Sequence, residues 1–138
     1  MVKSKWIDRA LIISPVFYTL CTDEADFYRL MKNIKMPIVD QPEFMIAGSG
    51  ATTHTFRTEE YPVAIVCMNL DNDATNAQLS AMIAHEAVHV FQYILECIGE
   101  TDPSVEFEAY SIQMITQQLI LEYERQRDLV YGNQTNKN

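Results

Sequence analysis

Residues 75–98 read TNAQLSAMIAHEAVHVFQYILECI, with His85, Glu86 and His89 at its centre and neither Gly nor Pro inside it. Thr75 followed three residues later by Gln78 forms a T-x-x-Q capping box, so the spacing predicts a helix over about 76–98. At about 100° per residue, Gln78, Met82, His85, His89, Gln92 and Glu96 fall on one narrow arc, with Glu86 and Tyr93 at its rim. Leu79, Ile83, Ala84, Val88, Val90, Phe91, Ile94, Leu95 and Ile98 fill the remaining circumference. A helix that is apolar around most of its girth is a central, buried one, and here its single polar groove contains both histidines.

That spacing has a chemical meaning. Histidines four apart on a helix lie one turn apart on one face, where both imidazoles can reach a single Zn²⁺ while the intervening Glu sits beside them as a general base. The HExxH pattern His85-Glu86-Ala87-Val88-His89 therefore points to zinc-dependent hydrolysis. In such chemistry the metal acidifies a water, and Glu86 takes its proton and returns it to the leaving amine. The plainer alternative is a pair of core-edge histidines satisfied by hydrogen bonds. Two of the chain's three histidines lying on the only polar strip of an otherwise apolar helix, with Glu beside the first, favours metal.

A catalytic zinc needs a third protein ligand and an open position. An HExxHxxGxxH site would place Gly and His at 92 and 95, where this chain has Gln92 and Leu95. The third ligand must come from elsewhere. Residues 99–103 read as a turn, after which an apolar-periodic run extends to about residue 127. Asp102 suits its N-cap and Pro103 its first position, so a second long helix is expected to return beside the first. Near its start, Glu106-Phe107-Glu108-Ala109-Tyr110 could place a carboxylate against the histidines. Periodicity does not choose between Glu106, which shares an arc with Tyr110, Gln113, Gln117 and Glu124, and Glu108, which falls among Ile112, Ile115 and Leu119. Asp102 is a third and weaker candidate, since its capping role already accounts for it.

The HEAVH block followed by Glu106-x-x-Ala109 resembles the gluzincin branch of the zincin metallopeptidases, and both blocks are similar to small zincin-like proteins of phage and prophage origin. The resemblance covers about residues 61–125 and rests on these two short motifs. It implies His85, His89 and Glu106 as zinc ligands, Glu86 as the base, and Ala109 as a small residue that lets the two helices approach. Many relatives carry Asp directly after that Ala, where it supports a ligand histidine. This chain has Tyr110, whose hydroxyl would take that role or face the substrate.

Upstream of the helix, residues 61–69 read as a strand bounded by Pro62 and the turn Asp71-Asn72-Asp73. Residues 51–57 and 44–47 are shorter strand candidates. By resemblance, 62–68 or 51–57 would pair with an extended substrate as an added strand. His54, on a predicted strand, would face solvent or else stabilise an oxyanion from the cleft. Arg9–Leu20 reads as a strand or mixed segment, and Thr22 as the cap of a helix running to about Lys35, with Phe27, Leu30, Met31 and Ile34 on its apolar face. The Asp71 region lacks the Gly and Glu of a calcium loop, having Asn76 and Met82 at those places.

The expected fold is α+β: a minimal zincin-like domain over 1–131, in which a small mixed β-sheet packs on an N-terminal helix and two long C-terminal helices, the first carrying HExxH. A polar tail, 132–138, is expected to be disordered. The chain has 138 residues with 48% hydrophobic content, which suits one core. Its net charge of −9 disfavours nucleic acid and anionic membrane as partners and leaves a protein or peptide substrate. No run reaches a membrane span, and charges interrupt the opening stretch where a signal peptide needs an apolar core. Cys21, Cys67 and Cys97 lack C-x-x-C spacing and read as reduced core thiols, which suggests a cytoplasmic setting. Two functions are compatible with these features: a zinc metallopeptidase, and a catalytically silent zincin-fold module that binds another protein, as a phage protein acting on a host factor would. Purely structural zinc fits less well, because two histidines and one Glu leave a position open. Oligomeric state is not legible.

Overall fold

The structure, a computed structural model, describes residues 1–7, 14–70 and 73–132. Its elements run β1 (Phe17–Cys21), α1 (Glu24–Asn33), a short 3₁₀ turn (Ile38–Asp40), β2 (Thr52–Arg57), β3 (Pro62–Cys67), α2 (Asn76–Ile98) and α3 (Val105–Tyr131). The architecture is the expected α+β one, a small mixed sheet with an N-terminal helix and two long C-terminal helices. No helix among the described residues is long and apolar enough to cross a membrane.

The three strands lie in the order β1-β3-β2. β1 pairs with β3 in parallel, Phe17 opposite Val63 and Cys21 opposite Cys67, while β2 pairs with β3 antiparallel, Thr52 opposite Cys67 and Arg57 opposite Pro62. β3 is central and buried from Val63 to Cys67, which its run of Val, Ala, Ile, Val and Cys predicts for a strand covered on both faces. Alternation divides those side chains between two cores. Ala64 and Val66 join Tyr18, Leu20, Ile83, Ala87, Val90, Ile115 and Leu119 on the face covered by α2 and α3. Val63, Ile65 and Cys67 join Phe27, Leu30, Met31 and Phe56 on the face covered by α1.

The capping box forms as its residues predict: Thr75 Oγ1 accepts from Gln78 N, and Thr75 N donates to Gln78 Oε1 at 2.8 Å. The helix ends at Gly99, whose φ of 73° is a left-handed conformation that glycine adopts at no steric cost; its N–H closes the last turn onto Glu96 O and Leu95 O. The arc Leu79, Ile83, Ala87, Val90, Phe91 and Ile94 is buried, as the wheel requires.

Several local expectations are corrected. The cap of α1 is Asp23, which accepts from Asp26 N. Thr22 instead donates from Oγ1 to Gln126 Oε1 on α3, at 2.7 Å. The helix ends at Asn33, two residues before Lys35, which has a φ of 57°. Residues 44–47 form no strand: Phe44 packs into the α1 core and its carbonyl faces His54 Nε2 at 3.0 Å. The cap of α3 is Ser104, accepting from Phe107 N, so the helix begins two residues beyond Pro103 and runs to Tyr131. A local hydroxyl two residues later displaces Asp102 because the Pro103 ring can sit in the extended residues leading into the cap. Of the segment Arg9–Leu20, residues 17–20 are strand, while 8–13 lie outside the described residues, as do 71–72 and the tail beyond Gly132.

A feature without sequence signal is the N-terminal arm. Ile7 N donates to Tyr18 O at 3.2 Å and Thr19 Oγ1 donates to Lys5 O, so the arm runs beside β1. Ser4 N donates to the buried Asp26 carboxylate at 2.7 Å, and Lys5 N to Glu122 Oε1 at 3.1 Å. Gln126, fully buried, donates from Nε2 to Leu20 O at 2.8 Å and to Ser4 Oγ at 3.3 Å. Arm, α1, β1 and α3 thus share one polar junction.

Candidate functional site

The polar groove of α2 opens into a cleft of about 450 Å³ whose walls are α2 and β2. Helix periodicity brings His85, His89, Gln92 and Glu96 to it, and β2 contributes Thr52, Thr53 and Thr55 from the other side. His85 and His89 are exposed and their rings meet edge to face, centroids 4.9 Å apart, with the two Nε2 atoms 3.2 Å from each other. Two nitrogens each about 2.0–2.1 Å from one tetrahedral zinc stand about 3.3–3.4 Å apart, so the pair fits the bite of the ion that the HExxH pattern implies. His89 Nδ1 faces Gln92 Oε1 at 3.0 Å.

Glu86 is buried, 6% exposed, at the floor of the cleft. Thr53 Oγ1 donates to its Oε2 at 2.5 Å, a charge-assisted bond that compensates the loss of hydration. Above it, the buried Tyr93 hydroxyl donates to Phe56 O at 3.0 Å. Burial pushes that phenol up to about 12, with Cys97 and Glu96 acting in the same direction and Arg57 opposing them. Tyr93 therefore keeps its proton and fastens the end of β2 to the helix.

The remaining sequence candidates lie elsewhere. Glu106, in the first turn of α3, is exposed and does not line the cleft, and the same holds for Glu108. Among the described residues no group of three His, Cys, Asp or Glu is arranged to hold a metal ion. The reason is the side on which α3 docks. Phe107 packs edge to face on Phe91, centroids 5.9 Å apart. Phe91 is two residues beyond His89, about 160° around the helix, so α3 covers the flank of α2 opposite the imidazoles. The fit to zinc extends to the two histidines and stops short of a third protein donor. Tyr110 and Ala109 are exposed; the small residue on the buried stripe of α3 is Ser111, beside Ile115 and Leu119. Asp102 is exposed as well.

His54 is half-buried and does not face the cleft. It lies against Phe27 of α1, centroids 5.2 Å apart, and stacks near Phe56, so it belongs to the opposite face of the sheet and cannot donate to a group in the cleft. Of the two strands considered for a substrate, β3 is paired on both sides, whereas β2 is an edge. The bonds from Met68 N to Cys21 O and from Thr58 N to Tyr61 O turn Val63, Ile65 and Cys67 toward β2 and, across the ladder, Phe56, His54 and Thr52 toward β3, so alternation leaves the backbone groups of Thr53 and Thr55 on the open side.

Two site residues escaped the sequence reading. Gln92 was visible on the histidine arc, three residues after His89, a spacing at which helix side chains meet. Thr53 carries no such mark, since its partner is 33 residues away. Comparison of the chain with protein-family models, with curated proteins and with solved structures finds no match to any of them.

Proposed function

We propose that the cleft between α2 and β2 is a zinc-dependent peptide-hydrolysing centre, with His85 and His89 holding the ion and Glu86 as general base. The observation that carries this reading is the convergence of the two Nε2 atoms to 3.2 Å beside a buried carboxylate. A bound zinc would supply Lewis-acid chemistry there, acidifying water and polarising a carbonyl. Glu86 would take a proton from the attacking water and pass it to the leaving amine. With Oε2 held by Thr53, Oε1 is the oxygen left for that transfer. The open side of β2 would bind an extended peptide through the backbone groups of Thr53 and Thr55 and so lay it along the cleft. Glu106 is not needed to form the pair and enters as an arm of the test.

The test is elemental analysis of purified protein, run beside His85→Ala, His89→Ala and Glu106→Ala, followed by a peptide-library digest with wild type and Glu86→Gln. The expectation is about one zinc per chain, lost in both histidine variants, with cleavage that Glu86→Gln abolishes while retaining zinc. A well-folded protein that takes up no zinc when it is supplied would sink the proposal. Zinc lost in Glu106→Ala would mean that α3 rearranges to complete the site.

A second reading is favoured by the position of Glu106 on the far flank of α2. A cleft with two histidines and, among the described residues, no group of three donors arranged to hold a metal suits a catalytically silent module that uses the open β2 edge to bind another protein. Zinc uptake without cleavage of any library peptide would favour it.

A further inference from the structure

An amide oxygen can only accept a hydrogen bond, so the ring nitrogen 3.0 Å from Gln92 Oε1 must carry a proton. That nitrogen is His89 Nδ1. A neutral imidazole has one N–H, and placing it on Nδ1 leaves Nε2 with its lone pair free. This is the reverse of the form that an unconstrained neutral histidine favours, in which the proton sits on Nε2 and blocks that atom as a ligand. The proton-free Nε2 points at His85 Nε2, 3.2 Å away, where the proposed ion would sit. Without metal, a His85 protonated on Nε2 would donate into that lone pair; binding the ion then requires only His85 to give up its Nε2 proton, while His89 is already in the ligand form.

Resting on the zinc reading above, we infer that Gln92 is a positioning residue: its side-chain oxygen fixes His89 as the Nδ1–H tautomer and so presents Nε2 ready to bind a metal. In many metal sites the supporting acceptor comes from a different element. Here it lies three residues along the same helix and needs no partner strand or helix. Gln92 occupies the position where an HExxHxxG chain has glycine, which has no side chain to offer. The supporting role that the sequence reading gave Tyr110 falls instead to a residue of α2 itself.

The test uses the full chain, labelled with ¹⁵N, at a pH where imidazoles are neutral. Long-range ¹H–¹⁵N correlation of the histidine rings reports which nitrogen of His89 carries the proton, in wild type, Gln92→Glu and Gln92→Leu without metal. Zinc affinity is read in parallel by competition with a chromophoric chelator. Gln92 is exposed, so neither substitution disturbs the core. Wild type and Gln92→Glu are expected to hold the Nδ1–H form. Gln92→Leu is expected to revert to Nε2–H and bind zinc about ten- to a hundredfold more weakly. A wild-type His89 protonated on Nε2, or a Gln92→Leu variant unchanged in tautomer and affinity, would overturn the inference. An Nδ1–H form lost in Gln92→Leu, in a protein that takes up no zinc, would overturn the functional reading and leave the role of Gln92 at His89 standing.

Discussion

Thr53 on β2 holds Glu86 on α2: its hydroxyl donates to Glu86 Oε2 at 2.5 Å across the cleft floor. The bond joins the edge strand to the one buried carboxylate of the HExxH helix, so the base proposed for hydrolysis is oriented by the strand proposed to hold the substrate. Glu86 would otherwise be a charge in a nearly dry position.

Replacing Thr53 with Val keeps the side chain's shape and removes the donor. The variant is expected to lose about 1.5–3 kcal/mol, the range for a hydrogen bond to a charged group, while Thr53→Ser loses much less. Urea unfolding of the two variants beside wild type measures this. Equal stability of Thr53→Val and wild type would mean that the bond does not hold the carboxylate.

The junction around Gln126 makes a second prediction. Gln126→Leu fills the same space but strands Leu20 O and Thr22 Oγ1 in the core. A cost of about 2–4 kcal/mol is expected, together with faster amide exchange at Ser4 and Lys5 as the arm loosens. An arm that stays protected in a strongly destabilised variant would place the damage elsewhere.

Alkaline pH should destabilise the fold. Burial pushes the Cys21 thiol from 9.0 up to about 12 and drives the Cys67 thiol, whose neighbours are Cys21 and Glu86, still further up. Burial also raises Tyr18 from 10.0 to about 12. The folded protein keeps these protons where the unfolded chain releases them, so their contribution is whole below the unfolded values, near 9.0 for the thiols, and is lost as pH climbs toward the folded ones. Each thiol adds a slope of up to about 1.4 kcal/mol per pH unit. Urea midpoints measured upward from about pH 8 should fall for wild type and fall less steeply for Cys21→Ala/Cys67→Ala. A flat wild-type profile would contradict the burial of the thiols.

Zinc should raise the melting temperature if the histidine pair binds it. At about a hundredfold excess over its Kd, a ligand specific for the folded state adds about 2.7 kcal/mol, enough for several degrees in a chain of this size. A chelator should reverse the shift, and His85→Ala and His89→Ala should each abolish it. A zinc-induced shift that survives both substitutions would place the binding elsewhere on the protein.

The primary structure by itself determined α2, its capping box, the groove shared by His85 and His89, the burial of β3 and the α+β layout. Each of these is a property of one element, set by the 3.6-residue helical period, by a side chain capping a nearby backbone N–H, or by an unbroken apolar run. Even the contact of Gln92 with His89 belongs to this class, because both lie on one helix. Only the tertiary structure decided that β2 is the open edge, that Thr53 meets Glu86, that His54 turns to the α1 face, and that α3 docks through Phe107 on Phe91 with Glu106 away from the cleft. Those facts depend on how elements far apart in the chain are oriented against each other. Burial of the Phe91 flank, worth far more than one carboxylate contact at an exposed helix end, fixed the side on which α3 packs and with it the reach of every residue in its first turn.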